Sequence, residues 1–286
     1  MSECASQGGC ASGAAPAQDE MDLKVVASLN DIRFKLLVMS GKGGVGKSTV
    51  AAYLALGLAA RGYKVGLLDV DLHGPSIPRM MGITGHAQVE EEQQYIHPIL
   101  VDHGLKVLSV EMLLPKKDSS IIWRGPLKIG IIKQFIGNVA WGNLDFLLID
   151  SPPGTGDEPL TISQSIEDAR AVVVTTPQEI ALADVRKSID FCFQMEMPIM
   201  GVVENMSGLT CPHCHQAIEL LGQGGGRALA ERFKLDLLGQ IPWDPKLVEA
   251  SDKGRPLDLD KENNGAGKAY GDLIGQVLER TAERKI

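Results

Sequence analysis

The stretch GKGGVGKS, Gly41 to Ser48, decides how the rest of this chain is read. It satisfies G-x-x-x-x-G-K-[ST], a pattern that carries meaning only between a strand and a helix. Just before it, FKLLVM (Phe34–Met39) is a short apolar run of the kind that forms a buried strand. Just after it, Ser48 to Ala60 is rich in Ala and Leu and reads as a helix. A glycine-rich turn in that place lets backbone N–H groups converge on an anion, and the helix N-terminus adds its positive end. Gly41, Lys42, Gly43, Gly44, Val45, Gly46, Lys47, Ser48 and Thr49 are therefore expected to bind ATP. Lys47 is expected to reach the β- and γ-phosphates, and the Ser48 hydroxyl to bind Mg²⁺.

Working outward, similar apolar runs recur: KVGLLDV (Lys64–Val70), LKVLSV (Leu105–Val110), DFLLID (Asp145–Asp150), AVVVTT (Ala171–Thr176), PIMGVVEN (Pro198–Asn205) and LLGQI (Leu237–Ile241). They are short, continuous and rich in Val, Ile and Leu, as strands buried on both faces should be. Helix-like segments separate several of them, so the expected fold is a doubly wound, mostly parallel α/β sheet. Ligands bind such sheets at the C-terminal ends of the strands. Asp150 ends one strand and is expected on the Mg²⁺ side of the site. The following SPPGTGD (Ser151–Asp157) can sense a γ-phosphate, which brings in Asp157. Asp69 and Asp71 end another strand in DVDLHGPS, and Asp71 is expected to orient the attacking water.

The chain has 286 residues with 28 Lys+Arg, 36 Asp+Glu and a net charge of −8, 44% of them hydrophobic. Wholesale disorder is excluded at that composition. The acidic balance argues against coating DNA or lying on anionic lipid, and 5% aromatics is lean for a single-strand stacking platform. No apolar run approaches the roughly 18 residues of a membrane span. Met1 to Glu20 lacks the cationic start and apolar stretch of a secretory signal, so a cytoplasmic location with reduced thiols is expected. Residues 1–22 read as a flexible tail holding Cys4 and Cys10, and residues 23–286 as one domain. Within that domain, Gly82 to Gly104 reads as a solvated excursion.

Lys42, one residue into GKGGVGKST, resembles the extra lysine of the deviant Walker motif in the ParA/MinD/nitrogenase-reductase ATPases. Further segments sharpen the likeness: DVDLHGPSIP (Asp69–Pro78), WRGP (Trp123–Pro126), DSPPGTGDEPL (Asp150–Leu160), TTPQEIALADVRKS (Thr175–Ser188), VENMS (Val203–Ser207) and CPHC (Cys211–Cys214). Together they resemble the Mrp/ApbC branch, the iron–sulfur cluster carrier ATPases, over roughly Val25 to Ile274. The resemblance implies a homodimeric P-loop ATPase that binds a cluster and hands it to apoproteins, with cluster scaffolds as further partners. It implies that Lys42 contacts nucleotide across the dimer interface and that Asn205 lies near the adenine base. The alternatives are a ParA/MinD-like positioning ATPase acting on DNA or membrane, a different functional class, and an ATP-dependent electron-transfer reductase.

Cys211 and Cys214, as C-x₂-C, place two thiols on one tight turn. The spacing alone serves zinc, iron–sulfur clusters and redox disulfides alike. A [4Fe–4S] cluster or tetrahedral thiolate site needs four ligands and this turn supplies two. The others come either from Cys4 and Cys10 or from a second copy of the chain, which would make the cluster bridge two subunits. Cys192, between aromatics in IDFCFQM, reads as a small buried hydrophobe. Leu273, Ile274, Val277 and Leu278 give the C-terminal segment an apolar side, read as packed on the domain rather than as a membrane anchor.

Overall fold

A computed structural model describes residues 15–90, 95–114, 125–211, 213–214, 216–259 and 265–282. Cys4, Cys10, Trp123, Arg124 and His215 lie outside the described residues. The chain opens with α1 (Ala15–Asn30), β1 (Ile32–Ser40), α2 (Lys47–Ala60), β2 (Val65–Asp69) and the short α3 (Ile77–Met80). Three short strands follow, β3 (Gln88–Glu90), β4 (Tyr95–His97) and β5 (Ile99–Leu100), then β6 (Lys106–Ser109), α4 (Gly125–Gly137) and β7 (Leu144–Asp150). Next come α5 (Asp157–Ser165), β8 (Arg170–Thr175), α6 (Glu179–Gln194), β9 (Ile199–Thr210) and β10 (Ala217–Ile218). The last elements are α7 (Gly225–Phe233), β11 (Leu237–Trp243), α8 (Pro245–Asp252) and α9 (Ala266–Ala282).

The main sheet runs β10-β9-β8-β1-β7-β2-β6-β5, with β11 also paired to β9. Its pairings are parallel except for β5 on β6 and β10 on β9, so the expected mostly parallel sheet is present. All seven expected strands form. From β1 the chain moves out to β2 and β6 on one side, then returns through β7 and continues to β8 and β9 on the other. That reversal leaves a crevice at the C-terminal end of β1.

Each face of the sheet carries its own core. On one, α2 covers β1, β2 and β7 while α9 packs on α2 and β11, with Leu54, Leu58, Tyr53, Tyr270, Leu273 and Ile274 in this core. On the other, Val25 and Leu29 of α1, Phe135 and Ile136 of α4, and Ile189 and Cys192 of α6 pack together. Tyr53 and Tyr270 meet with ring centroids 5.2 Å apart. The apolar side of α9 is thus turned inward, as expected. Among the described residues no helix is long and apolar enough to cross a membrane.

Three segments differ from expectation. The boundary expected at residue 22 falls inside α1, because Met21, Val25 and Leu29 recur at helical spacing and form a stripe against α4. The excursion after Gly82 contains the β3–β4 hairpin, secured when Ile96 is buried and its backbone bonds Asn138 and Ala140 at 2.8 and 2.9 Å. Finally, β9 continues five residues past Asn205, to Thr210.

Candidate nucleotide site and cysteine turn

The loop Gly41–Gly46 leaves β1 and turns directly into α2. Gly46 takes the left-handed conformation (φ 78°) at the helix N-cap, and a Cβ there would lie 2.2 Å from Asn205 Nδ2. A side chain at Gly41 would meet the backbone of Asp184 in α6 at 2.2 Å. Both glycines are therefore demanded by geometry. Ser40 Oγ donates to the carbonyl of Lys42 at 3.1 Å, and Asn205 Nδ2 donates to the carbonyl of Val45 at 2.9 Å. The loop is held from both ends.

Lys47, only 6% exposed, places Nζ 2.5 Å from Asp150 Oδ1 and 3.4 Å from Ser48 Oγ. Parallel pairing of β2 with β7 sets Asp69 beside Asp150. Both carboxylates are fully buried. Burial pushes Asp69 up to about 8, reinforced by the charge of Asp150; it accepts from the N–H of Asp71 at 3.0 Å and from Ser109 Oγ at 3.3 Å. Burial raises Asp150 too, against the opposing pull of Lys47. Asp150 Oδ2 has no hydrogen-bond partner among the described residues, with the Ser48 hydroxyl close by. A buried, unpartnered carboxylate oxygen next to a hydroxyl suits a hard divalent cation such as Mg²⁺. Asp71 is half-buried, and its Oδ1 accepts from the N–H groups of His73 and Gly74 at 3.2 and 3.0 Å.

Two adjoining cavities open on this loop. The first, about 300 Å³, is lined by Ser40, Lys42 through Thr49, Asp71, Ser76, Met80 and Pro153. The second, about 310 Å³, shares Thr49, Ser76 and Met80 and is otherwise walled by Arg79, Asn205, Met206, the end of β11 from Ile241 and residues of α8 as far as Asp252. The first is lysine-lined and amide-rich. The second is mostly apolar, with Met80, Met206, Ile241, Trp243 and Leu247 around the Asn205 amide.

The structure brings together Gly43 to Thr49, Lys42, Asp71 and Asn205, with Asp150 at the floor of the site through its bond to Lys47. Asp157 is not brought to it. That residue opens α5 exposed to solvent and lines neither cavity. Its neighbour Glu158 turns inward to Lys128 of α4 at 2.9 Å, both side chains largely buried. The Trp243–Asp244 wall went unread in the sequence, although its place at the C-terminal end of the last parallel strand was a usable signal.

Cys211 and Cys214, both free thiols, sit on the turn between β9 and β10, within side-chain hydrogen-bonding reach of each other. The Cys211 N–H donates to the Gln216 carbonyl at 2.9 Å, which closes the turn. Hydrogen bonds from the Cys214 and His213 backbone and from the Cys214 side chain hold the Cys211 thiol below its usual range. Cys211 is half-exposed, and Cys214 faces solvent. No cluster of three or more His, Cys, Asp or Glu able to hold a metal occurs among the described residues. Cys192 is fully buried against Met39 Sδ at 3.4 Å, its thiol pushed up to about 12 by burial.

A family model for the NUBPL iron-transfer P-loop NTPases matches residues 31–278. An iron-sulfur cluster carrier protein of Methanocaldococcus jannaschii is 44% identical over 267 residues, spanning 93% of this chain and 91% of the relative. A protein of the same name from Saccharolobus solfataricus is 44% identical over 260 residues, 91% and 88% of the two chains. A solved nucleotide-binding protein of Archaeoglobus fulgidus, in complex with ADP, superimposes with TM-score 0.73 at 42% identity, covering 86% of this chain and 95% of that one. The cell division ATPase MinD of Pyrococcus furiosus has the same fold, with TM-score 0.62 at 24% identity over 86% of this chain and 98% of its own.

Proposed function

Because this chain belongs to the NUBPL iron-transfer P-loop NTPase family, we propose that it carries an iron–sulfur cluster as cargo and uses ATP to switch between holding and releasing it. The observation that carries this reading is the path of β9. One strand touches the phosphate loop through Asn205 and ends five residues later at Thr210, with Cys211 next in the chain. A change at the loop therefore has a direct covalent route to the cargo turn.

ATP is read into the two adjoining cavities. The phosphates lie along the amides of Gly43 to Ser48 in the first, and the adenine occupies the apolar second cavity beside Asn205. Lys47, satisfied by Asp150 before nucleotide arrives, turns its charge to the β- and γ-phosphates. Ser48 and Asp150 Oδ2 are the groups that would hold Mg²⁺, which neutralises phosphate charge when bound. Asp71, facing the first cavity and steadied by two backbone N–H groups, orients water toward the γ-phosphorus. The water oxygen forms a bond to phosphorus as the bond to the ADP oxygen breaks, leaving ADP and inorganic phosphate. Slow turnover suffices for a switch.

The two thiols of the Cys211–Cys214 turn cannot ligate a four-iron cluster alone. A symmetric homodimer supplies four from two copies of Cys211 and Cys214 and places the cluster between subunits, with Lys42, exposed beside the first cavity, available to the partner's nucleotide. Recipients are apo iron–sulfur proteins, and scaffolds are the source. A reducing cytoplasm is the compartment consistent with two open thiols.

Anaerobic reconstitution with iron and sulfide tests the reading. The expected result is about four irons per dimer, absorbance near ~400 nm, and transfer to an apo acceptor whose rate depends on ATP. Cys211→Ala and Cys214→Ala should each abolish iron binding, whereas Cys192→Ala should not. Deleting residues 2–18, which removes Cys4 and Cys10, should leave the cluster in place. Tightly held zinc with no such absorbance would overturn the assignment.

A further inference from the structure

Glu204, the residue before Asn205, is fully buried, and successive β9 side chains point to opposite faces. Asn205 reaches the phosphate loop. Glu204 turns the other way into four donors: Ser207 Oγ at 2.5 Å, Gln240 Nε2 at 2.8 Å, Gly224 N at 3.0 Å and Gly226 N at 2.5 Å. Two of these are N–H groups at the start of α7, where a negative charge is favoured. Burial alone would raise the Glu204 carboxyl, but the four hydrogen bonds outweigh it and hold it below the usual range.

Just beyond Glu204 the ladder slips. Asn205 stands opposite Ile241, yet Leu209 stands opposite Trp243, so four steps along β9 match two along β11. The slack is taken up by a bulge in which Met206 (φ 56°) and Gly208 (φ 74°) adopt left-handed backbone. For Met206 that conformation is strained and persists only where its surroundings enforce it. Ser207, between them, is held by the Glu204 carboxylate. Two residues after Gly208 the strand ends, and Cys211 follows.

We propose that Glu204 is a positioning residue: by clamping the bulge Met206–Gly208, it passes the state of the phosphate loop on to the Cys211–Cys214 turn. The clamp ties β9 to β11 and α7 at the point where Asn205 meets the loop. A displacement at Val45 is then not dissipated within the ladder. It travels along the strand to the bulge, where the left-handed residues offer a second arrangement. This deepens the carrier reading and rests on it for its purpose, but the coupling itself needs no cluster to be observed.

The test is alkylation of the cluster-free full chain by iodoacetamide, followed peptide by peptide for Cys211 and Cys214, with ADP or a non-hydrolysable ATP analogue bound. In the wild type the two nucleotides should give labelling rates differing by about fivefold or more. In Glu204→Gln the ratio should fall to about one while nucleotide affinity stays within about twofold of wild type. Ser207→Ala, which removes one of the four donors, should lower the ratio partway without changing affinity. A wild-type ratio of one, or a Glu204→Gln ratio equal to the wild type, overturns the proposal. If Glu204→Gln unfolds and Ser207→Ala keeps the full ratio, Glu204 is only structural and the proposal fails. If labelling responds as expected but reconstitution yields no cluster, the coupling stands and the carrier reading falls.

Discussion

Lys47 and Asp150 form a buried pair before any nucleotide enters, so neither is free to be removed without consequence. Lys47→Ala deletes the cation that reads phosphate and also strands the Asp150 carboxylate, already unpartnered at Oδ2, in the interior. Losing one member of a buried pair costs roughly 3–5 kcal/mol, less whatever Asp150 recovers by taking up a proton. We expect no detectable ATP binding by calorimetry and a lowered denaturation midpoint. Adding Asp150→Asn should restore part of the stability and none of the binding. Asp69 makes a separate prediction about protons. Its folded value of about 8 lies far above the 3.8 of a free carboxyl. Between those values the native chain keeps a proton that the unfolded chain has lost, so stability falls as pH rises across that window. The slope is at most about 1.4 kcal/mol per pH unit. Asp69→Asn cannot titrate, and urea melts from pH 5 to 8 should show a flatter dependence than the wild type. Parallel curves would mean that Asp69 is ionised in the folded protein.

Among the elements, α1 separates what a local reading sees from what tertiary packing adds. Its sequence looks small and polar, yet Val25 and Leu29 are buried against α4, and Lys133 reaches back to Asp22 at 2.5 Å. Leu29→Ala should cost about 2–4 kcal/mol in chemical denaturation; no change would mean that α1 contributes nothing to the fold. The strands were legible because parallel strands buried on both faces are written as unbroken Val/Ile/Leu runs, and β1, β2 and β7 need no other signal. The phosphate loop was legible because its chemistry fixes both residue type and spacing. The extension of β9 was not, since Met206 to Gly208 break the strand pattern and only long-range pairing with β11 and β10 recovers it. Glu204 was invisible for a related reason: its four donors come from positions 207, 224, 226 and 240, which no local window joins. The glutamate beside Asp157 illustrates the same limit. SPPGTGD marks a loop, but which of two adjacent carboxylates turns inward depends on Lys128, thirty residues earlier.

At the scale of the whole molecule, the helix that carries the phosphate loop is finished by the other end of the chain. Tyr270, Leu273 and Ile274 of α9 cover α2, and the Tyr53 hydroxyl accepts from the N–H of Leu257 at 3.2 Å. Gly57 of α2 lies so close to Ile274 that an added methyl would sit 2.2 Å from its Cδ1. In biosynthesis this sets an order of events. Every residue lining the two cavities has been translated before α9 is made, yet until then one side of α2 has nothing to pack against. A fragment released before residue 266, with every cavity-lining residue clear of the ribosome, should fail to retain ATP on a filter. A chain arrested far enough past residue 282 for α9 to clear the exit tunnel should hold it. Nucleotide loading would then report that synthesis has passed α9, and fragments released before it would not withdraw ATP.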